Sequence, residues 1–181
     1  MPPFFSNNKL DLSTPSSFSD SLTRLSGDLD KIFKPKTWIA ISKKPDARAY
    51  MEVIEAHAES GEAQCQELVA QWNIMLCEDA SDTDVLKFGL RKAIKFGTMA
   101  AESGIDNEAL NLPISLGQLG QILSEESEGI FTDEIENIFK EMYRWSLKNS
   151  ENSALPASER QQAAQTAEEL YEGMPELFAG I

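Results

Sequence analysis

The sequence predicts an all-α fold: stacked antiparallel helix pairs, a repeat-like α-α superhelix, closed by a C-terminal capping helix. Three observations predict it. Apolar residues recur at alternating steps of three and four along most of the 181 residues, the period of one helix face. Only Trp38-Ile39-Ala40-Ile41 has strand character, and one short strand without a partner makes no sheet. Finally, Ala58-Glu59-Ser60-Gly61 returns forty-three residues later as Ala101-Glu102-Ser103-Gly104, each time where one helical pattern stops and another starts.

Residues 1–17 are rich in Pro, Ser and Asn, with Phe4 and Phe5 as the only large apolar pair, the composition of a flexible arm. Residues 18–181 are read as a single all-helical domain. Phe18, Leu22, Leu25, Leu29 and Ile32 mark its first helix, with Ser17 or Ser19 placed to cap it. Residues 38–41 are read as a packed linker. Pro45, between Ser42 and Asp46, opens a second helix that carries Tyr50, Met51, Ile54 and Ala58 and ends at Gly61. A third, over 63–77, holds Cys65, Leu68, Val69, Trp72 and Leu76, and polar residues 78–82 make a loop.

Ser81 or Asp82 starts a fourth helix whose buried side is Leu86, Leu90, Ala93, Phe96 and Ala100 and which Gly104 stops. In the fifth, over 106–123, Pro113 predicts a kink or a division. Thr132, with Asp133 and Glu134 in the first turn, starts a sixth whose stripe is Ile135, Ile138, Phe139, Met142 and Trp145. Ser158 and Gln161 read as a capping box for a seventh, carried by Ala163, Ala164, Ala167, Leu170 and Tyr171 and closed by Gly173 and Pro175. Starts near 19, 61 and 104 are about evenly spaced, which gives three pairs plus a terminal helix.

Sixteen Lys and Arg stand against thirty Asp and Glu, a net charge of -14. Such a field repels phosphate backbones and anionic membrane surfaces, so nucleic acid is not the expected partner. No apolar run approaches the roughly 20 residues of a membrane span. The start, Met1-Pro2-Pro3-Phe4-Phe5, lacks the basic and long apolar regions of a signal peptide, so the expected location is cytoplasmic, with no membrane attachment. Cys65 and Cys77 fall on one helix, about 18 Å apart along its axis, and cannot bridge each other there. With one His and no CxxC or HExxH spacing, neither a metal site nor a cofactor is expected.

Acidity is concentrated in the body of the chain. Residues 1–50 carry eight bases and five acids, residues 51–181 eight bases and twenty-five acids. Residues 87–95 hold four bases and no acid, a basic island between two long acidic stretches.

Around that island the residues resemble a known family. Lys92-Ala93, Phe96 and Ala100-Ala101-Glu102-Ser103-Gly104 resemble the closing half of a Sel1-like repeat, a tetratricopeptide relative with an alanine, an aromatic three later, paired alanines and a glycine. Gly61-Glu62-Ala63-Gln64-Cys65 is similar to that family's opening, with Cys65 where a small alanine is usual. The resemblance covers about a third of the chain, residues 58–117. It departs from the pattern in a loop without glycines at 78–82, a late Leu116-Gly117, and Pro113 inside a helix. It implies stacked helix pairs and the work of an adaptor or regulator without chemistry of its own.

His57 is the sole neutral-range acid or base, and no nucleophile elbow, phosphate loop or metal motif accompanies it. It is read as a helix-face histidine, and no catalytic residue is assigned. Gly117-Gln118-Leu119-Gly120 reads as close helix packing. Lys87, Arg91 and Lys95 step by four and form one basic stripe with Lys92 beside it. The stripe is either a solvated face paired with neighbouring acidic helices or a docking stripe for an acidic partner. Trp72 and Trp145 belong to the core or face a groove as anchors, and Tyr143 and Arg144 are of types enriched at interfaces.

Trp72, Lys87, Arg91, Lys95, Tyr143 and Arg144 are therefore the candidate partner-binding residues. The function that follows is a non-enzymatic protein-protein adaptor or regulator, binding another protein on a concave face lined by the third and fifth helices. The alternative is an acidic inhibitor, immunity-like, antitoxin-like or mimicking nucleic-acid charge, that blocks a basic partner. An all-helical enzyme using His57 has the least local support.

Overall fold

A computed structural model describes residues 9–29, 33–78 and 80–179, apart from the side chain of Pro35; Phe4, Phe5 and Ile32, singled out above, lie outside the described residues. All regular structure among the described residues is helical: α1 (Pro15–Leu25), α2 (Pro35–Ser42), α3 (Ala47–Glu59), α4 (Ala63–Glu78), α5 (Thr83–Glu102), α6 (Asp106–Glu126), α7 (Asp133–Glu151), α8 (Ala157–Gly173) and α9 (Pro175–Phe178). The chain separates into two compact units, Met1–Val69 and Ala70–Ile181, where the sequence predicts one domain from residue 18. The division falls inside α4.

In the first unit α1 begins three residues before the predicted start. Thr14 caps it, its hydroxyl accepting from the Ser17 N–H at 3.1 Å, and Pro15 occupies the first turn, where a missing N–H costs nothing. The stretch before it is held down: the Asp11 N–H donates to Ser21 Oγ at 3.1 Å and the Tyr50 hydroxyl to the Leu12 carbonyl at 2.9 Å. The predicted arm is thus packed from residue 9 onward. Phe18, Leu22, Leu25, Leu29, Tyr50, Ile54 and Ala58 are buried.

Residues 38–41 are not a linker but part of α2. β-Branched Ile39 and Ile41 suggest a strand, yet burial settles the matter: Ile41 is buried and Trp38 lies edge-on to Phe33 at 4.6 Å, while Ile39, on the other side, is 52% exposed. Pro45 opens no helix. It sits second in the turn from Lys44 to Ala47, closed by the Ala47 N–H on the Lys44 carbonyl at 3.2 Å, a position that suits its fixed φ.

The repeated Ala-Glu-Ser-Gly runs are one structure used twice. Gly61 has φ +101° and Gly104 φ +92°, both left-handed. Each glycine N–H donates three residues back, to Ala58 and to Ala101, at 3.1 Å. The next residue donates five back, Glu62 to His57 at 3.2 Å and Ile105 to Ala100 at 3.0 Å. These paired bonds satisfy the last carbonyls of α3 and α5, and the left-handed glycine makes them geometrically cheap.

In the second unit α5, α6, α7 and α8 follow one another as antiparallel neighbours, each packed on the next. Leu90, Ala101, Ala109, Leu112, Leu116, Leu119, Ile138 and Trp145 form one core. A Cβ at Gly117 would lie 3.2 Å from Met142 Cε, and one at Gly120 3.1 Å from Phe139 Cζ, so these glycines let α6 and α7 approach.

Of the two outcomes expected at Pro113, a kink or a division, the division does not occur: α6 runs through it as one helix. Proline removes the bond to the carbonyl four residues back, that of Ala109. The buried Asn149 of α7 replaces it, its Nδ2 donating to the Ala109 carbonyl at 2.7 Å. At α8 the predicted capping box is absent: the helix follows Pro156 with no side-chain cap, and the Pro156 carbonyl takes the Glu159 and Arg160 N–H groups. Of α8 only Ala163 and Ala167 are buried, which suits an outer helix. Pro175 then starts the short α9, whose buried Phe178 stacks on Tyr143 at 4.6 Å. No helix among the described residues is long and apolar enough to cross a membrane.

Candidate functional site

In the second unit, the end of α4, the start of α5 and the second half of α6 enclose a groove of about 360 Å³. Gly89 sets its geometry. A Cβ there would lie 2.5 Å from Cys77 Sγ and 3.5 Å from the Asn73 carbonyl, so glycine lets α5 lie this close to α4 with the thiol where it is, and a larger residue would have to displace it. The contact turns the next residue along the helix, Leu90, and Leu86 one turn earlier, onto the groove floor. Ile74 and Cys77 of α4 and Ile122 of α6 complete the apolar lining. The Cys77 thiol lies 3.7 Å from the Leu86 carbonyl as donor, and burial raises its pKa, so it lines the groove as a neutral group.

The polar lining is amide and carboxylate. Gln118, Gln121 and Glu125 come from α6 and Glu78 from α4, and Gln121 Nε2 donates to Glu125 Oε1 at 2.9 Å. Among the described residues the lining contains no Lys, Arg or His. The arrangement offers an apolar slot for an aliphatic or aromatic side chain, amides for a backbone, and two exposed carboxylates for cations.

None of the six candidate residues named from the sequence lines this groove. Lys87 and Arg91 are engaged within the unit: Lys87 Nζ lies 2.9 Å from Asp84 and 2.7 Å from Glu126, and Arg91 Nη2 lies 2.6 Å from Glu134. They join α5 to the end of α6 and the start of α7. The hydrogen bonds to Glu126 and Asp84 raise the Lys87 pKa, and the Lys87 ammonium lowers that of Asp84. Lys95 is exposed, its ammonium 4.7 Å from the Phe96 ring centroid, and Trp72 is half-buried on α4.

On α7, Tyr143 stacks on Phe178 and has Tyr171 at 6.5 Å, so its ring holds the C-terminal segment in place. Arg144 is exposed and pairs with Glu141 one turn earlier. Trp145 is core, with Lys148 over its ring at 4.3 Å. In the first unit His57 Nε2 lies 3.0 Å from Ser19 Oγ, a bond that fastens α3 to α1.

Sequence reasoning misses two exposed apolar features. Phe88 and Val85 of α5 are 68% and 53% exposed, and Ile130 and Phe131 protrude from the loop between α6 and α7. The signal for the first is present in the chain: Phe88 falls between Lys87 and Arg91, off the Leu86, Leu90 and Ala93 stripe.

No family model matches the chain, and comparison with curated proteins and with solved structures gives no match either.

Proposed function

We propose that the protein is a non-enzymatic helical-repeat adaptor or regulator of Sel1-like type, cytoplasmic, which holds a segment of another protein in the groove between α4 and α6. One observation carries this reading: the groove has an apolar floor, two carboxylates on its rim and, among the described residues, no base. It belongs to a unit with twenty acids and eight bases among residues 70–181. A partner segment that fits presents one large apolar side chain flanked by Lys or Arg. Burying a side chain of leucine size contributes about 1.5–3 kcal/mol, and the surrounding negative field speeds the encounter.

The same charge supports a second reading, an acidic inhibitor that blocks a basic protein, and salt separates the two. The test is affinity capture from host lysate at low and moderate salt, comparing the wild-type chain with the rim double reversal Glu78→Lys and Glu125→Lys. The adaptor reading expects proteins held by the wild type at both salts and lost from the reversal. A single basic protein that elutes as salt rises favours the inhibitor, and an identical retained set from both chains contradicts the groove as the site.

A further inference from the structure

The exposed edge of α5 is self-complementary. Asp84, Phe88, Arg91 or Lys92, and Lys95 follow one another at steps of three and four within α5 and so share one seam. Phe88 is at its centre, 68% exposed, with Val85 beside it at 53%. Four residues before Phe88 stands Asp84, its side chain 89% exposed, and four residues after it Lys92. Acid on one side and base on the other, at equal distance from an exposed aromatic, is the pattern a two-fold axis requires, because each residue then meets its complement on an identical surface.

We propose that this seam is an interface with a second copy of the chain, the two α5 helices antiparallel and crossing at Phe88. Phe88 packs on Phe88 of the other copy, and Asp84 faces Lys92 twice over. Asp84 already bonds Lys87 at 2.9 Å, but a carboxylate this exposed has lone pairs for a second cation. Val85 widens the apolar centre on each side. One helix edge is smaller than a standard stable interface, so the dimer forms as concentration rises and exchanges with monomer. It buries Phe88, which otherwise leaves a large aromatic ring in water on the charged face of α5.

Sedimentation velocity of the full chain over a concentration series, at low and at moderate salt, tests the proposal. The wild type is expected to shift from monomer to dimer. Phe88→Ser should weaken association at least about tenfold, as should Asp84→Lys alone or Lys92→Asp alone, while Asp84→Lys combined with Lys92→Asp recovers it. Circular dichroism of each variant should match the wild type, since these side chains lie on the outer edge of α5. A chain that stays monomeric at every concentration overturns the proposal. So does a dimer indifferent to Phe88→Ser, or charge reversals that the double variant does not rescue.

Discussion

Replacing Asn149 by alanine will measure how the chain keeps a proline in the middle of its longest helix. Pro113 leaves the Ala109 carbonyl without its helical N–H, and Asn149 Nδ2, from α7, donates to that carbonyl at 2.7 Å. Asn149 is 2% exposed, so no solvent stands ready to take its place. A buried acceptor left unsatisfied costs about 1–3 kcal/mol, and truncating a buried side chain adds to that.

Pro113→Ala restores an N–H at 113 and gives the carbonyl its helical partner back. Asn149→Ala should therefore cost less in that background, with a coupling of about 1–2 kcal/mol between the two sites. The assay is urea denaturation of the wild type, both single variants and the double, followed by tryptophan emission, to which Trp145 of the same core contributes beside Trp38 and Trp72, and by far-UV circular dichroism. Additive effects, within about 0.5 kcal/mol, would refute the idea that the asparagine stands in for the missing backbone donor.

Three further outcomes are expected. Gly61→Val and Gly104→Val should each destabilise by about 1–2 kcal/mol in thermal unfolding; a Cβ meets nothing within 4 Å at either site, so the cost is the left-handed backbone alone, and unchanged melting would remove the shared-stop assignment. Gly120→Val should cost about 1–3 kcal/mol by pushing α6 from Phe139 and Ile138, where Gly173→Ala, with nothing nearby, stays close to neutral. Burial pushes the Cys65 thiol from 9.0 up to about 12, with Glu62 adding to the shift. The unfolded chain therefore loses this proton first, and stability should fall as pH rises from about 9 to about 12. Cys65→Ala should flatten that limb of a pH-stability profile, and Ellman's reagent should label Cys65 in the folded chain only slowly at pH 8.

What could be read from the sequence was whatever depends on near neighbours. The periodicity of Leu90, Ala93, Phe96 and Ala100 shows a helix and its buried face without any partner in view, and the glycine after Ala-Glu-Ser marks the same stop at 61 and 104 because both capping bonds lie within six residues. The cap at Thr14-Pro15 is equally local, but Ser16, Ser17 and Ser19 just after it are residues of the same capping type, and composition alone does not choose among them. The rest depended on distant residues. The continuity of α6 through Pro113 needs a side chain thirty-six residues away, α9 needs the ring of Tyr143, and the partners of Lys87 and Arg91 lie on α6 and α7, so that only the acidity of those helices was visible. Helical rather than extended backbone at Ile39 and Ile41 was decided by which side is buried, against their β-branched preference. The groove was hidden for a related reason. Its floor faces inward because Gly89 lets α5 approach Cys77, a contact no spacing rule announces.

The most direct test of the proposed function is selection of peptides from a random display library on the intact chain, with counter-selection on the Glu78→Lys, Glu125→Lys rim reversal. The groove predicts enriched peptides with one large apolar residue flanked by Lys or Arg, binding the wild type and not the reversal. Enrichment of acidic peptides, or of peptides that bind both chains alike, would contradict it.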